Sequence, residues 1–193
     1  MTPDTPTAKQ DSNGAAAAPL PLLVTDDVPG PALAALTAMG AAPVRLADAP
    51  ALAAWLAGTD GPVALVWHPP AKGLARALRT GGDPGPALRD WQERHAALLT
   101  VIRRARRRLP LVDARTLVPG VPAAEQAALG AWLGLAGDAA AAADGAPRGG
   151  QDDAATLAET LAAGLAMRAA ALRPLLDELE GGSPVRADAP RDT

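Results

Sequence analysis

His68 and His95 are the only two histidines of the chain, and they are the side chains expected to titrate near neutral pH. His68 directly follows residues 63–67, five consecutive apolar residues between Gly-Pro and Pro-Pro pairs. Such a run predicts a buried strand of a parallel sheet, and ligands of these sheets bind beyond the carboxyl ends of the strands. His68 is therefore the candidate catalytic residue, and the alternative is a strand-end residue fixed by the prolines. His95 lies on the apolar stripe of a long predicted helix, which favours a core histidine.

Four aspartates stand at similar places. Asp26 and Asp27 follow the first predicted strand, Asp48 follows the second, and Asp113 lies near the end of the fourth. Carboxylates at sheet ends can bind a metal or act as acid and base, but an aspartate just before a helix more commonly caps it. We predict capping for Asp48 and leave the other three open. No known metal-site motif is present, and no metal ligand is assigned.

Two groups of cations could hold an anion. Lys72 and Arg76 follow His68 on the next predicted helix, and they are the candidate anion- or cofactor-binding residues. Arginines also fill five of the six positions from 103 to 108. They could engage phosphate, sulfate or an acidic partner, but they surround the end of a helix, where the dipole itself attracts cations. A solvated helix end is the favoured interpretation.

These residues need a scaffold, and the pattern of apolar runs supplies one. Strands are predicted at residues 20–25, 43–47, 63–67 and 109–114. Helical spacing follows each strand, and the helices after the third strand are expected at residues 71–79 and 87–108, with a further helix at 123–135. This alternation predicts an α/β fold, a three-layer arrangement of a parallel sheet flanked by helices, with a C-terminal helical extension.

The predicted organisation has five parts. Residues 1–18 read as a disordered leader, 19–136 as the α/β domain, 137–151 as a flexible linker, 152–181 as an amphipathic helix and 182–193 as a disordered tail. Pro174 should kink the helix or split it. An apolar stripe runs along residues 153–180 and must pack on the domain, on a second copy or on another protein; it consists of Leu157, Leu161, Leu165, Leu172, Leu176 and Leu179.

Composition excludes several classes of function. The chain has 193 residues, of which 49 % are apolar, with no Cys, Phe or Tyr. The absence of cysteine rules out disulfides, thiol catalysis and zinc–thiolate sites. A net charge of −3 argues against a nucleic-acid partner. No apolar run of about 18 residues predicts a membrane span, and no secretory signal is recognised, so a cytoplasmic location is expected. The excess of Arg over Lys indicates a GC-rich, bacterial genome.

The order of these features, over residues 20–135, resembles the sulfotransferase family, P-loop-related enzymes that use 3′-phosphoadenylyl sulfate. PLLVTDDVPGPALAALTAMGA looks like the family's first strand, phosphosulfate loop and helix, and ALVWHPPAKGLARALRTG looks like its strand ending in Arg-x-Pro with the helix that follows. ALRDWQERHAALL resembles a Trp-containing helix of the family. LPLVDARTLV with AALGAWLGL resembles its late strand and short terminal helix.

Several residues depart from the family's pattern. Residues 26–31 contain no Lys, Arg, Ser or Thr, and they include two prolines, which lack the N–H that would donate to a phosphate. His68 replaces the Arg of Arg-x-Pro, while Pro70 is retained, and Arg76 stands where the family has a helix Ser. These departures imply that donor binding in the family's usual way is lost, and no cofactor is expected.

Three functions follow from the resemblance. The first is a binding or scaffolding module without 3′-phosphoadenylyl sulfate-dependent catalysis, in a glycan-related or similar pathway, which contacts a partner or a second copy through residues 153–180. The second is an active group-transfer enzyme with an altered donor site. It would use His68 as general base, with Lys72, Arg76 or the arginines of 103–108 binding anionic groups. The third is a regulator that binds an anionic metabolite without chemistry.

Overall fold

The computed structural model describes residues 19–117, 121–135 and 153–183. Within these ranges the chain forms a four-stranded parallel sheet flanked by helices, which confirms the predicted α/β class. The strands are β1 (Leu22–Thr25), β2 (Val44–Leu46), β3 (Ala64–Trp67) and β4 (Leu111–Asp113). The helices are α1 (Gly30–Ala38), α2 (Ala49–Ala57), α3 (Ala71–Arg79), α4 (Pro84–Ala105), α5 (Ala123–Trp132), α6 (Asp153–Arg168) and α7 (Arg173–Gly181).

The predicted leader (1–18) and linker (137–151) lie outside the described residues, as does the predicted tail except for Gly182 and Ser183. No helix in the described part of the chain is long and apolar enough to cross a membrane.

The strands follow the order β2-β1-β3-β4. From β1 the chain moves to one side to form β2, and it then returns past β1 to form β3 and β4. The direction therefore reverses between β1 and β3, as in the flavodoxin-like order 2-1-3-4-5. In open sheets of this kind the crevice beyond the carboxyl ends of the strands at this switch point is the usual ligand site. The residues that follow β1 and β3 therefore border the usual ligand position of such a sheet.

Each face of the sheet has its own apolar layer. Leu22, Val24 and Val66 point to one face, where they pack with α1 and α5. Leu23 and Leu65 point to the other, where they pack with α2, α4 and α7. The alternation of neighbouring residues between the two layers is the period of two that a strand imposes. It explains why continuous apolar runs, rather than alternating ones, identified the strands.

Local residues decide where the helices begin. The Asp48 carboxylate accepts a hydrogen bond from the Ala51 N–H at 2.8 Å, which confirms the predicted cap of α2. Asp83 accepts from the Gly85 N–H in the same way, so α4 begins at Pro84 rather than at residue 87. Proline is tolerated there because the first N–H groups of a helix have no intrahelical partner.

The predicted C-terminal helix is divided, as the position of Pro174 suggests. α6 ends at Arg168, a 3-10 turn spans Ala170–Leu172, and Pro174 lies in the first turn of α7. The division separates the apolar stripe into two parts. Leu172 and Leu179 are buried against the sheet, whereas α6 packs on α3 and turns its leucines outward. The expectation of one coherent stripe was therefore wrong, because α6 packs on α3 while the leucines after the break pack on the sheet side.

Candidate functional site at the carboxyl edge of the sheet

The turn between β1 and α1 is tight. The Val28 N–H donates to the Thr25 carbonyl at 3.1 Å, which closes a four-residue turn, and Pro29 is the N-cap of α1 without a side-chain capping bond. The Val28 N–H is thus occupied, and Pro29 and Pro31 have none to offer. A phosphate cradle needs several free N–H groups aimed at one point. This turn has few donors and carries two aspartates.

Trp91 of α4 occupies the switch point between β1 and β3. Its indole N–H lies 2.8 Å from Asp27 Oδ2 and 3.0 Å from the His68 carbonyl oxygen, so one donor bridges the residues that follow the two strands. Trp91 itself is 3 % exposed. The side chains of the chain itself therefore fill the crevice in which a ligand of such a sheet would lie.

His95 lies one helical turn beyond Trp91, and the two rings stack with centroids 4.0 Å apart and planes inclined by 18°. Its Nδ1 lies 3.0 Å from the Trp91 carbonyl oxygen, and its Nε2 lies 3.6 Å from Asp27 Oδ2. Burial lowers the pKa of His95, although the Asp27 carboxylate opposes this shift. The prediction of a core histidine is confirmed, since the residue is 1 % exposed.

His68 is partly buried at the end of β3. Its Nδ1 lies 2.6 Å from the Pro69 carbonyl oxygen, an acceptor, so this nitrogen carries the ring proton. Burial lowers the pKa of His68, while Pro69 and the carboxylates of Asp27 and Asp113 raise it. The lowered pKa favours the neutral ring with Nε2 as acceptor, which is the form that a general base requires.

Asp113 ends β4 and is buried. It accepts hydrogen bonds from the Arg115 backbone N–H at 2.9 Å and from Arg115 Nε at 2.8 Å. The Arg115 guanidinium also lies 2.8 Å from a Glu180 carboxylate oxygen of α7. The pair of carboxylates thus holds the cation between β4 and α7. This arrangement compensates the buried charge of Asp113 and links the last helix to the sheet edge.

The cations predicted to bind anions, Lys72 and Arg76, are not among the charged groups that shift the pKa of His68. Lys72 and Arg76 are exposed on α3, and the charged groups that act on His68 are Asp27, Asp113 and Arg115. Within the arginine cluster, Arg103 pairs with Glu178 and Arg108 donates to backbone carbonyls of residues 59 and 61. α4 ends at Ala105, so the other arginines surround an exposed helix end.

The sequence did not identify Trp91 or Arg115 as site residues. Trp91 was assigned to an apolar stripe, and its bond to Asp27 joins residues 64 positions apart, for which a single sequence has no signal. Arg115 was detectable in principle, because an arginine two positions after a buried aspartate can fold back onto it. Asp26 remains exposed after β1.

The arrangement combines carboxylate and carbonyl acceptors with the Trp91 indole and the Arg115 guanidinium as donors. In the described ranges no three His, Asp or Glu side chains are close enough together to hold a metal ion. Comparison with known proteins finds no matching family model, no matching curated protein and no matching solved structure. The sulfotransferase resemblance thus rests on the segments quoted above. At the carboxyl edge of the sheet, hydrogen bonds between the protein's own residues join the strands to α4 and α7.

Proposed function

We propose that the chain is a non-catalytic α/β interaction module that associates with a second copy of itself through α6. The observation that carries the proposal is the orientation of this helix. Ala158, Ala162 and Ala166 face α3 and are buried, whereas a row of leucines faces outward. The exposed fractions are 61 % for Leu157, 52 % for Leu161 and 42 % for Leu165.

The orientation is the reverse of that of an ordinary surface helix. A helix that packs only on its own domain turns its larger apolar side chains inward, because burial stabilises by roughly 25 cal/mol per Å². Here the alanines take the inner face. Exposed large apolar side chains in the described ranges are otherwise Val44 and Trp132, which are single residues on other elements. A continuous row of three leucines marks a surface that a further chain covers.

The rest of the chain is poorly suited to cover this row. Residues 1–18, 118–120, 136–152 and 184–193 contain only three apolar side chains larger than alanine, namely Met1, Val118 and Val185. These are too few and too scattered to pack on three leucines. We therefore assign the covering surface to another molecule.

A second copy offers a matching surface. Leu157, Leu161 and Leu165 follow the i±4 ridge along which helices pack, and added volume at Gly164 would meet nothing. An antiparallel, two-fold contact would place Leu161 near the axis and Leu157 against Leu165 of the other copy. Glu159 lies on the opposite side of the helix at 100° per residue, so no like charges meet. Stable interfaces need about 800 Å² per partner, so this short face predicts a weak, concentration-dependent dimer.

Two observations support the absence of group transfer. Trp91 fills the crevice at the switch point, and the β1–α1 turn carries carboxylates and prolines where an anionic donor needs N–H groups. The candidate anion clamp of Lys72 and Arg76 is exposed on α3, and neither cation is among the charged groups that shift the pKa of His68. The proposed loss of 3′-phosphoadenylyl sulfate-dependent catalysis is consistent with this geometry.

Sedimentation velocity over a concentration series tests the association. We expect the sedimentation coefficient of the wild type to rise with concentration and Leu161→Asp to remain monomeric, because two aspartates would meet at the axis. Ala97→Asp, at an exposed position of α4, makes the same charge change elsewhere and should associate like the wild type. A wild type that stays monomeric, or a Leu161→Asp variant that still dimerises, would contradict the proposal.

The proposed absence of catalysis is tested separately. Adenosine 3′,5′-bisphosphate stabilises any protein that binds it, by mass action, so a retained donor site raises the melting temperature. We expect no shift at millimolar ligand. A saturable rise that is lost in Lys72→Ala together with Arg76→Ala would favour the group-transfer alternative.

A further inference from the structure

Three basic side chains form a stripe along the outer face of α3. Lys72, Arg76 and Arg79 occupy positions i, i+4 and i+7 of this helix, and all three are exposed. At 100° per residue they fall within a sector of about 60°, which is turned away from the buried Leu74. Along the helix axis the three positions are separated by about 6 Å and about 4.5 Å. We call these three residues the α3 basic stripe.

No carboxylate of the described residues neutralises the α3 basic stripe. None of its three side chains makes an ion pair or a hydrogen bond within these ranges. The helix itself contains no Asp or Glu that could pair with them one turn away. A Cβ on Gly73 would meet no atom within 4 Å, so the first turn of α3 is uncovered as well. The stripe is therefore open to another molecule.

Two other arginines of the described residues are paired with carboxylates of a neighbouring helix. Arg103 of α4 donates to both carboxylate oxygens of Glu178 on α7, at 2.8 and 2.6 Å. The Arg115 guanidinium reaches Glu180 of the same helix at 2.8 Å. The planar guanidinium fork favours this contact with a carboxylate. The α3 basic stripe offers the same kind of donor, but no acidic helix of the described residues lies beside it.

The arrangement of the cations limits the kinds of partner that this face fits. Three cations in a row along a helix do not surround one point, so they do not form a cradle for a small phosphate. The exposed residues of α3 include no large apolar side chain that could enter a lipid surface, and no aromatic ring on which a nucleic-acid base could stack. Carboxylates that repeat at matching intervals complement this face better than any of these ligands.

We propose that the α3 basic stripe is a docking surface for an acidic helix of a protein partner, whose carboxylates are spaced by four and three residues. A helix laid along α3 places each carboxylate opposite one cation, because both helices have the same rise per residue. Exposed ion pairs are individually weak and are screened by salt, so the complex is weak and salt-dependent. The stripe is distinct from the leucine row of α6, so either proposal can fail without the other.

Titration of the ¹⁵N-labelled full chain with a synthetic helical peptide tests the docking. The probe is an alanine-rich helix of about 18 residues in which three glutamates are spaced by four and three residues. The control peptide has the same composition, but its glutamates are spread around the helix. At low ionic strength we expect the probe to shift the amide resonances of α3 saturably, and we expect added salt to abolish the shifts. The control peptide should bind about threefold more weakly or less.

Charge reversal distinguishes the α3 basic stripe from other basic surfaces of the chain. Arg76→Glu, in the middle of the stripe, should lower the affinity for the probe about tenfold or more, because an attraction becomes a repulsion. Arg104→Glu makes the same charge change at the exposed end of α4 and should bind like the wild type. Both side chains are exposed, so neither substitution disturbs the core.

The proposal is overturned if the probe produces no saturable shift at low salt, if both peptides bind equally well, or if Arg104→Glu weakens binding as much as Arg76→Glu. It is also overturned if phosphatidylglycerol vesicles or inorganic phosphate shift the resonances of α3 at lower concentration than the probe. If Arg76→Glu does not fold, Lys72→Glu takes its place, and unchanged binding by that variant overturns the proposal.

Discussion

The two sides of α4 are packed in different ways. Toward the sheet, Trp67, Trp91 and many leucines fill the space, and each removes a large area from water. Toward the outside, α3 and α6 meet through Leu74, Ala75 and the alanines of α6. Alanine lets helices approach closely but buries little surface, so the second contact fixes position with little stabilisation. This alanine-rich sequence therefore places its large apolar side chains between α4 and the sheet and its small ones between α3 and α6.

Replacing a core leucine by alanine should show the largest difference in stability between the sheet side and α6. Leu65 in β3 is 1 % exposed, and Leu65→Ala should lower the free energy of unfolding by about 2–5 kcal/mol through lost burial and a cavity. Leu157→Ala in α6 is the matched control, with an expected change within about 0.5 kcal/mol in dilute solution. Urea unfolding measures both. Equal losses would mean that the outer leucine is buried, and the comparison would fail.

A smaller effect is expected where α7 meets β4. A Cβ on Gly182 would lie 2.8 Å from Leu111 Cδ1, and because the Leu111 side chain is buried and has to shift, Gly182→Ala should cost about 1–3 kcal/mol. Gly181→Ala is the control, because a Cβ there meets no atom within 4 Å. Thermal unfolding distinguishes the two. A neutral Gly182→Ala would show that α7 holds the sheet only loosely, like the α3–α6 pair.

The smallest predicted effect is a dependence of stability on pH, which arises from His95 on the sheet side of α4. Burial lowers the pKa of His95 below its ordinary value of 6.5, and Arg94 and His68 act in the same direction against the opposing Asp27 and Trp91. As the pH falls below 6.5, the unfolded chain therefore takes up the proton first, and stability decreases until the folded pKa is reached. We expect a measurable fall in the free energy of unfolding over this range.

His95→Gln should reduce this pH dependence, measured by urea unfolding at about pH 7.5 and about pH 5.5. His68→Gln is the comparison variant, because burial also lowers the pKa of His68. A pH dependence that is unchanged in both variants would place its origin outside the carboxyl edge.

Local signals made most of the fold predictable. Apolar runs alternating with helical spacing located the four strands, α3 was predicted with its observed bounds, and the cap by Asp48 needed only a neighbouring N–H. The orientation of α6 was not predictable, because alanines and leucines both recur every four residues along it. Only the position of α3 decides which set is buried.

The candidate site was harder to predict from the sequence than the fold. His68 and Asp27 were selected because they follow strands, and the structure places both at the switch point. Their shared partner, Trp91, and the approach of His95 to Asp27 depend on the distance between α4 and the sheet. No spacing within the sequence encodes that distance. The assignment of Lys72 and Arg76 to anion binding stays a prediction, and both side chains are exposed on α3.

The attachment of the last helix has a consequence for synthesis. The Leu111 N–H bonds the Gly182 carbonyl, and the Trp67 indole reaches Ser183 at 3.4 Å. A chain leaving the ribosome therefore completes its four strands about 70 residues before the segment that covers β4 and Trp67 is made, several seconds at ordinary translation rates. During that interval the nascent sheet has an uncovered edge, and chaperones that bind such edges have a defined period in which to act.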